Sequence, residues 1–372
     1  MAPHPPGRRN RVVAVFLSVC LSLSPTLADA CTGIRIVAAD SSVIRGRTME
    51  FGVDTQSNVI LVPRGTERTG TAPDGAKGKS WTAKYASLGM NALGMPIVVD
   101  GLNEKGLSVG LFYFPGYADY QAYEASDADN TIAPWELGTY ILDNFATLDE
   151  VRAGVEDVVV PNVVFEQWNF VMPVHYIVMD PTGAALVIEY VDGKRTVHDN
   201  PLGVITNSPA FDWHLTNLNN YTFLDNVDRS SATFGALRAV QPDSGIATAG
   251  LPSSNTSVGR FVRAAYYAQF AERAETPDLA VTTLAHIMNN FDRPRGISID
   301  YPQDGGGHLE VAGLRQDRAR AYATESTAWT ALADLDRQTF YVRDHRSLNF
   351  SRADLSKAAG SDAPGVLPLT TL

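Results

Sequence analysis

From residue 32 onward, apolar and polar positions alternate in short runs that predict strands. Thr32 to Ala39 carries Ile34, Ile36 and Val37 among polar neighbours. Asp40-Ser41-Ser42 marks a turn and Val43 to Phe51 returns, so a hairpin begins at Cys31. Val59-Ile60-Leu61-Val62 predicts a short strand, and Gly65 to Ser80, rich in Gly, Thr, Lys and Pro, an exposed loop. Tyr85 to Met90, Ile97 to Asp100 and Leu107 to Phe114 predict strands, with a turn at Asn103-Glu104-Lys105-Gly106. Pro115 to Thr131 is a polar, tyrosine-bearing loop. The spacing then becomes helical over Trp135 to Phe145 and Leu148 to Val155, the second capped by Thr147. Val171 to Met179, Ala184 to Val191 and Lys194 to His198 predict a meander. Val204 to Asn207 is short and apolar and is broken by Ser208-Pro209. Arg260 to Ala274 predicts an amphipathic helix with Phe261, Val262, Ala265, Tyr266 and Phe270 on its apolar side, and Leu279 to Phe291 another. Asp292 to Gly313 is loop-like, and Thr327 to Leu335 with Gln338 to Arg343 predicts a hairpin. Long β stretches interrupted by helix pairs imply a layered α+β architecture in one domain, residues 31–351, with a loosely docked tail at 352–372.

Residues 1–30 have a different pattern. Arg8, Arg9 and Arg11 precede an apolar run from Val12 to Leu23, and Ala28-Asp29-Ala30 is a small-x-small triplet. This predicts a signal peptide cut after Ala30, an exported protein, and Cys31 as the first residue of the mature chain. The Arg pair leaves both general and twin-arginine export open. The apolar run is too short for a good spanning helix, and nothing later approaches one. The net charge of −11 becomes −13 without the leader, which carries three Arg and one Asp. That balance argues against nucleic acid and anionic membranes as partners. Cys20 leaves with the leader, so the mature chain has one cysteine and no internal disulfide.

Several motifs point to other chemistry and fail on context. Gly106-Leu107-Ser108-Val109-Gly110 is formally G-x-S-x-G, but a turn precedes it and a strand follows, opposite to a nucleophile elbow. Gly78-Lys79-Ser80 lacks the upstream glycine of a phosphate loop, where Pro73 stands. The histidines do not pair at metal-ligand spacing, and no G-x-G-x-x-G follows a strand, so neither metal nor cofactor is implied. A cysteine at a cleavage junction also begins a lipid-anchored binding protein, although that pathway wants a Leu-like residue where Ala28 stands.

A cysteine at a free N-terminus joins a thiol nucleophile to an α-amine base, whose ordinary pKa of about 7.7–8 suits proton transfer near neutrality. Amide hydrolysis by a thiol also needs a cation for the thiolate and donors for the oxyanion. Arg47 and Glu50 lie on the returning strand, the first to stabilise a thiolate and the second to hold a protonated amine. Asn207, before its Pro-containing break, offers an amide NH₂ to an oxyanion.

The pattern resembles the choloylglycine hydrolase family, N-terminal nucleophile hydrolases that include penicillin V acylases and bile salt hydrolases. Its carriers are Cys31-Thr32-Gly33, Gly46-Arg47-Thr48-Met49-Glu50-Phe51, Gly101-Leu102-Asn103-Glu104-Lys105-Gly106-Leu107, Phe114-Pro115-Gly116-Tyr117-Ala118-Asp119-Tyr120, Thr206-Asn207-Ser208-Pro209, Asn217-Leu218-Asn219-Asn220-Tyr221 and Gly259-Arg260-Phe261-Val262-Arg263. The resemblance implies a four-layer αββα sandwich. It makes Cys31 the nucleophile, Arg47 and Arg260 the active-site arginines, and Asn207 an oxyanion and orientation residue. An oxyanion donor before the Phe-Pro-Gly step falls at Tyr113, with Phe112 competing for the place. Glu50 departs from the family's usual Asp. The leader and the Thr-Met-Glu-Phe variant resemble the Gram-negative-type branch, which is associated with penicillin V and long-chain acyl-homoserine lactones. Bile salts are the alternative substrate. Phe51, Phe112, Phe114 and Trp213 are candidates to bind an aryl or alkyl acyl chain. The resemblance also admits a homo-oligomer, up to a tetramer.

Overall fold

The structure, a computed structural model, describes residues 31–52, 54–167, 169–299, 324–358 and 365–367. The leader, its cleavage site, residues 300–313 of the expected loop and residues 359–364 and 368–372 of the expected tail lie outside these residues. The strands are β1 (Cys31–Val37), β2 (Val43–Phe51), β3 (Val59–Val62), β4 (Glu67–Thr71), β5 (Lys77–Thr82), β6 (Ser87–Met90), β7 (Asp100–Asn103), β8 (Ser108–Tyr113), β9 (Val164–Phe165) and β10 (Phe170–Val171). Then come β11 (Val174–Met179), β12 (Ala185–Val191), β13 (Lys194–Asp199), β14 (Val204–Ile205), β15 (Ser231–Phe234), β16 (Leu237–Val240), β17 (Ser326–Asp334), β18 (Thr339–Asp344), β19 (Ser351–Asp354) and β20 (Gly365–Leu367). The helices are α1 (Leu137–Asn144), α2 (Leu148–Gly154), α3 (Phe211–Asn217), α4 (Ser257–Phe270), α5 (Pro277–Met288) and α6 (Leu355–Ala358).

Two antiparallel sheets stack face to face. The first has strand order β14-β1-β2-β17-β18-β19, the second β13-β12-β11-β8-β7-β6-β3-β20. Helices α4 and α5 pack on the outer face of the first sheet, and α1 on that of the second. The layers are therefore helix, sheet, sheet, helix, as the α+β sandwich requires. One apolar core joins the first sheet, its helices and the inner face of the second; the other lies between the second sheet and α1 and α2. Strands covered on both faces bury every residue, as β8 and β11 do. Gly46 on β2 lets α5 lie close, since a Cβ there would stand 2.7 Å from Leu332 and 3.1 Å from Leu284.

Some expected boundaries move for physical reasons. The predicted loop Gly65–Ser80 holds the β4–β5 hairpin, where Gly70 and Gly78 leave room for the Thr131 carbonyl. The strand expected over Ile97–Asp100 begins only at Asp100, because the Val98 amide is taken by Thr139 Oγ1 at 2.9 Å. Helix α4 starts earlier than expected and ends at Phe270, with Thr256 as its cap, accepting from the Gly259 amide. The expected tail begins with a strand, since β19 pairs with β18. The β15–β16 hairpin was not legible at all.

Candidate active site

The β1–β2 hairpin sets the geometry. Its register places Cys31 opposite Met49 and Gly33 opposite Arg47, so Cys31, Arg47 and Met49 project toward the second sheet. Arg47 Nη2 lies 3.2 Å from Cys31 Sγ, and its Nη1 donates to the Val99 carbonyl at 3.1 Å. The guanidinium centre lies 4.4 Å from the Phe112 ring centroid and 5.2 Å from that of Trp329, which fix its plane. Asp100 supplies the counter-charge, 3.7 Å from Arg47 and 2.6 Å from Arg45. Burial pushes the Cys31 thiol up, Arg47 pulls it back, and Glu50 adds to the rise.

The backbone nitrogen of Cys31 donates to Asn207 Oδ1 at 2.8 Å. Arg260 Nη2 donates to the same oxygen at 2.7 Å, while Asn207 Nδ2 donates to the Tyr113 carbonyl at 2.7 Å. Two donors on one side and an acceptor on the other fix the amide's orientation. Arg260 Nη1 also donates to Thr32 Oγ1 at 2.9 Å and to the Cys31 carbonyl. Burial lowers Arg260 to about 10, which leaves it charged at neutral pH.

Glu50 occupies the opposite face of β2, among Arg260, Arg293 and Glu325. Burial pushes its carboxyl up to about 7 against the pull of Arg260 and Arg293. Its Oε1 accepts from Thr327 Oγ1 at 3.3 Å, and its Oε2 is buried without a partner. The bond from the Cys31 nitrogen goes to Asn207, so the expected contact between that nitrogen and Glu50 is not formed here.

Next to the thiol is an apolar pocket of about 60 Å³, lined by Met49, Phe51, Leu93, Met95, Tyr113, Met172 and others. Of the four candidate acyl-binding residues, only Phe51 lines it. Phe112 is spent under Arg47. Phe114 is stacked on His175 at 4.3 Å. Trp213 is exposed on α3, edge-on to His214. Ser108 is a buried strand residue whose hydroxyl faces the Met179 carbonyl at 3.5 Å, with no histidine or acid on it. The Cys31 thiol is buried between the sheets, a poor place for a lipid anchor. Among the described residues no group of three or more His, Cys, Asp or Glu side chains is placed to hold a metal ion. No helix among them is long and apolar enough to cross a membrane.

Sequence reasoning missed Asp100, His175 and Glu189. The available signal was a charged or polar residue inside an otherwise apolar run, as at Glu189 between Ile188 and Tyr190.

A model of the linear amide C–N hydrolases, choloylglycine hydrolase family, matches residues 31–305. The chain is 30% identical to the penicillin V acylase of Pectobacterium atrosepticum over 94% of its length and 87% of that protein's. It is 26% identical to a bile salt hydrolase/transferase of Clostridium perfringens, over 88% of this chain and 93% of the other. The crystal structure of a variant of the conjugated bile acid hydrolase from Clostridium perfringens superposes with a TM-score of 0.77 at 25% identity, covering 92% of this chain and 98% of that one.

Proposed function

The chain belongs to the choloylglycine hydrolase family of linear amide C–N hydrolases, and from that premise we propose that it works through Cys31 as an N-terminal nucleophile, freed when a leader is cut off after Ala30. Export to the periplasm or the medium goes with that step. The observation that carries this reading is the convergence on Cys31: Arg47 Nη2 at 3.2 Å from its sulfur, and Asn207 Oδ1 at 2.8 Å from its nitrogen.

Burial holds the thiol above its ordinary range, so the nucleophile needs a base as well as a cation. The α-amine takes the thiol proton, and Sγ bonds to the amide carbonyl carbon. Asn207 gives one N–H to Tyr113 and keeps the second for the oxyanion, beside the main chain at Tyr113. The C–N bond then breaks, and the leaving nitrogen takes the proton from the ammonium. Water adds to the thioester with the amine again as base. The C–S bond breaks, Sγ regains the proton and the acid departs. Arg260 holds the Cys31 carbonyl and Asn207, and Glu50 Oε2 offers an unused acceptor for the new ammonium.

The apolar pocket takes the acyl side of a small-molecule amide. Its lining is almost wholly apolar, which suits an aryl or alkyl acyl group. Penicillin V and a long-chain acyl-homoserine lactone offer such groups, and a conjugated bile acid is the alternative. The flexible side chains of Met49, Met95 and Met172 let it adapt to either chain type. Assembly belongs to the same reading: Phe223, Val227, Phe234, Leu237 and Val240 are exposed on and before the β15–β16 hairpin, an apolar strip that a second copy would cover. Light scattering of the purified protein should show a homo-oligomer that Phe234→Asp with Leu237→Asp dissociates; a monomer throughout contradicts it.

The test of the activity is amine release by protein starting at Cys31, from penicillin V, a glycine-conjugated bile acid and a long-chain acyl-homoserine lactone. Release from the first or third, lost in Cys31→Ala, is expected. Release mainly from the bile acid overturns the substrate assignment, and activity retained in Cys31→Ala overturns the nucleophile.

A further inference from the structure

Behind Asn207 lies a buried polar cluster that takes no part in the chemistry itself. His175 on β11 faces Glu189 on β12, with Nδ1 2.9 Å from Oε1. The other ring nitrogen, Nε2, lies 3.0 Å from the Thr206 carbonyl, which can only accept, so Nε2 carries a proton and donates it. Glu189 also accepts from the Phe211 amide at 3.0 Å and 3.2 Å, and His198 Nε2 stands 3.5 Å away. Burial pushes Glu189 up, but the bonds from His175 and His198 hold it at about 2, so it stays ionised. On α3, His214 Nε2 donates to the Asn207 carbonyl at 2.9 Å, and its ring stacks on Phe261 at 4.5 Å. Burial pushes His214 down to about 4, which keeps it neutral, so its part here is that of a hydrogen-bond donor.

Each carbonyl of the Thr206–Asn207 pair is thus met by one imidazole, and each imidazole is fixed by a second partner. The Asn207 amide donates to Ser257 Oγ at 2.9 Å, which closes the cage. This is polar expense in a space otherwise filled by apolar side chains such as Ile177 and Val187. The loop it holds is the one that carries the Asn207 side chain to the Cys31 nitrogen.

We propose that His175, Glu189 and His214 are positioning residues for amide hydrolysis, holding the Thr206–Asn207 main chain so that the Asn207 side chain stays on Cys31. This rests on the reading of Cys31 and Asn207 given above. A displaced oxyanion donor lowers the rate while leaving the acyl pocket and the thiol intact.

The experiment compares His175→Phe, which keeps a ring against Phe114, with His175→Gln, which restores a donor toward Thr206. The expected result for His175→Phe is a fall in kcat of roughly 10–100-fold, with KM and the rate of Cys31 alkylation by iodoacetamide within about twofold. His175→Gln should recover part of the kcat. Independently of turnover, NMR of ¹⁵N-labelled protein should show faster hydrogen exchange of the Asn207 side-chain amide in His175→Phe. Unchanged exchange in the folded variant overturns the proposal, as does a parallel loss of kcat and alkylation rate. Turnover surviving in Cys31→Ala would instead sink the nucleophile assignment, and the exchange measurement would still decide this one.

Discussion

The two faces of β2 make different use of buried charge. Arg45, Arg47, Met49 and Phe51 look toward the second sheet. There each arginine is paired, both with Asp100 and one also with the Cys31 sulfur, and the apolar pocket begins beside them. Thr48 and Glu50 look toward the helices, where Glu50 keeps an unpartnered oxygen and a carboxyl raised to about 7. Both faces hold buried polar atoms without a partner, Arg45 Nε and Arg47 Nε on the inner face and Thr48 Oγ1 and Glu50 Oε2 on the outer. What differs is the charge: the inner face turns a cation toward the thiol beside the pocket, and the outer face holds a raised carboxyl.

The largest expected effect lies on the inner face. Arg47→Leu should lower kcat by about 10²–10³-fold, the scale of losing one electrostatic stabiliser, and should slow alkylation of Cys31. Arg47→Lys should fall between, since a lysine cannot keep the stack between Phe112 and Trp329. Steady-state kinetics and iodoacetamide labelling check both, and wild-type kcat in Arg47→Leu would erase the distinction between the faces.

On the outer face, Glu50→Gln should cost about tenfold in kcat, within the range of a modest acid–base contribution. Glu50→Asp should retain most of the activity. If Glu50→Gln equalled Arg47→Leu, the carboxylate would belong to the chemistry as directly as the arginine does.

The smallest effect is on stability. Glu189 is held at about 2 in the folded chain against an ordinary value of 4.5, and His214 at about 4 against 6.5. In each case the unfolded chain binds more protons on acidification. Stability is therefore lost as pH falls from 6.5 to 4 through His214, and from 4.5 to 2 through Glu189. Glu50 has the opposite sign, costing stability as pH rises from 4.5 to 7. Thermal melts across pH 3 to 8 should show the acid loss, flattened below 4.5 in Glu189→Gln. An unchanged slope in that variant would remove Glu189 from the balance.

Much of the inner face was legible in the sequence. A hairpin starting at Cys31 with Arg47 on its return strand follows from alternation alone, and the register turned that into a 3.2 Å contact. Asn207 was legible as an oxyanion donor before its Pro-containing break, but Arg260 came from resemblance alone, since nothing local says that a loop after β14 and a helix some fifty residues on meet around Cys31. The aromatic residues were the weak point. Phe112 sits where expected on β8 and Phe114 falls just past its end; pleating turns Phe112 under Arg47, and Phe114 ends up against His175. The pocket is walled instead by Leu93 and Met95, from the loop after β6, and by Met172, from the turn before β11. Non-local walls leave no periodic signal. Neither do polar strands such as β4 and β5, whose glycines serve packing.

The most direct test of the central claim is the initial rate of amine release by two proteins differing by one residue, one starting at Cys31 and one retaining Ala30. Turnover is expected in the first and none in the second, with both folded and both thiols reacting with iodoacetamide. Equal rates in the two would contradict it, because the α-amine would then have no part in the reaction.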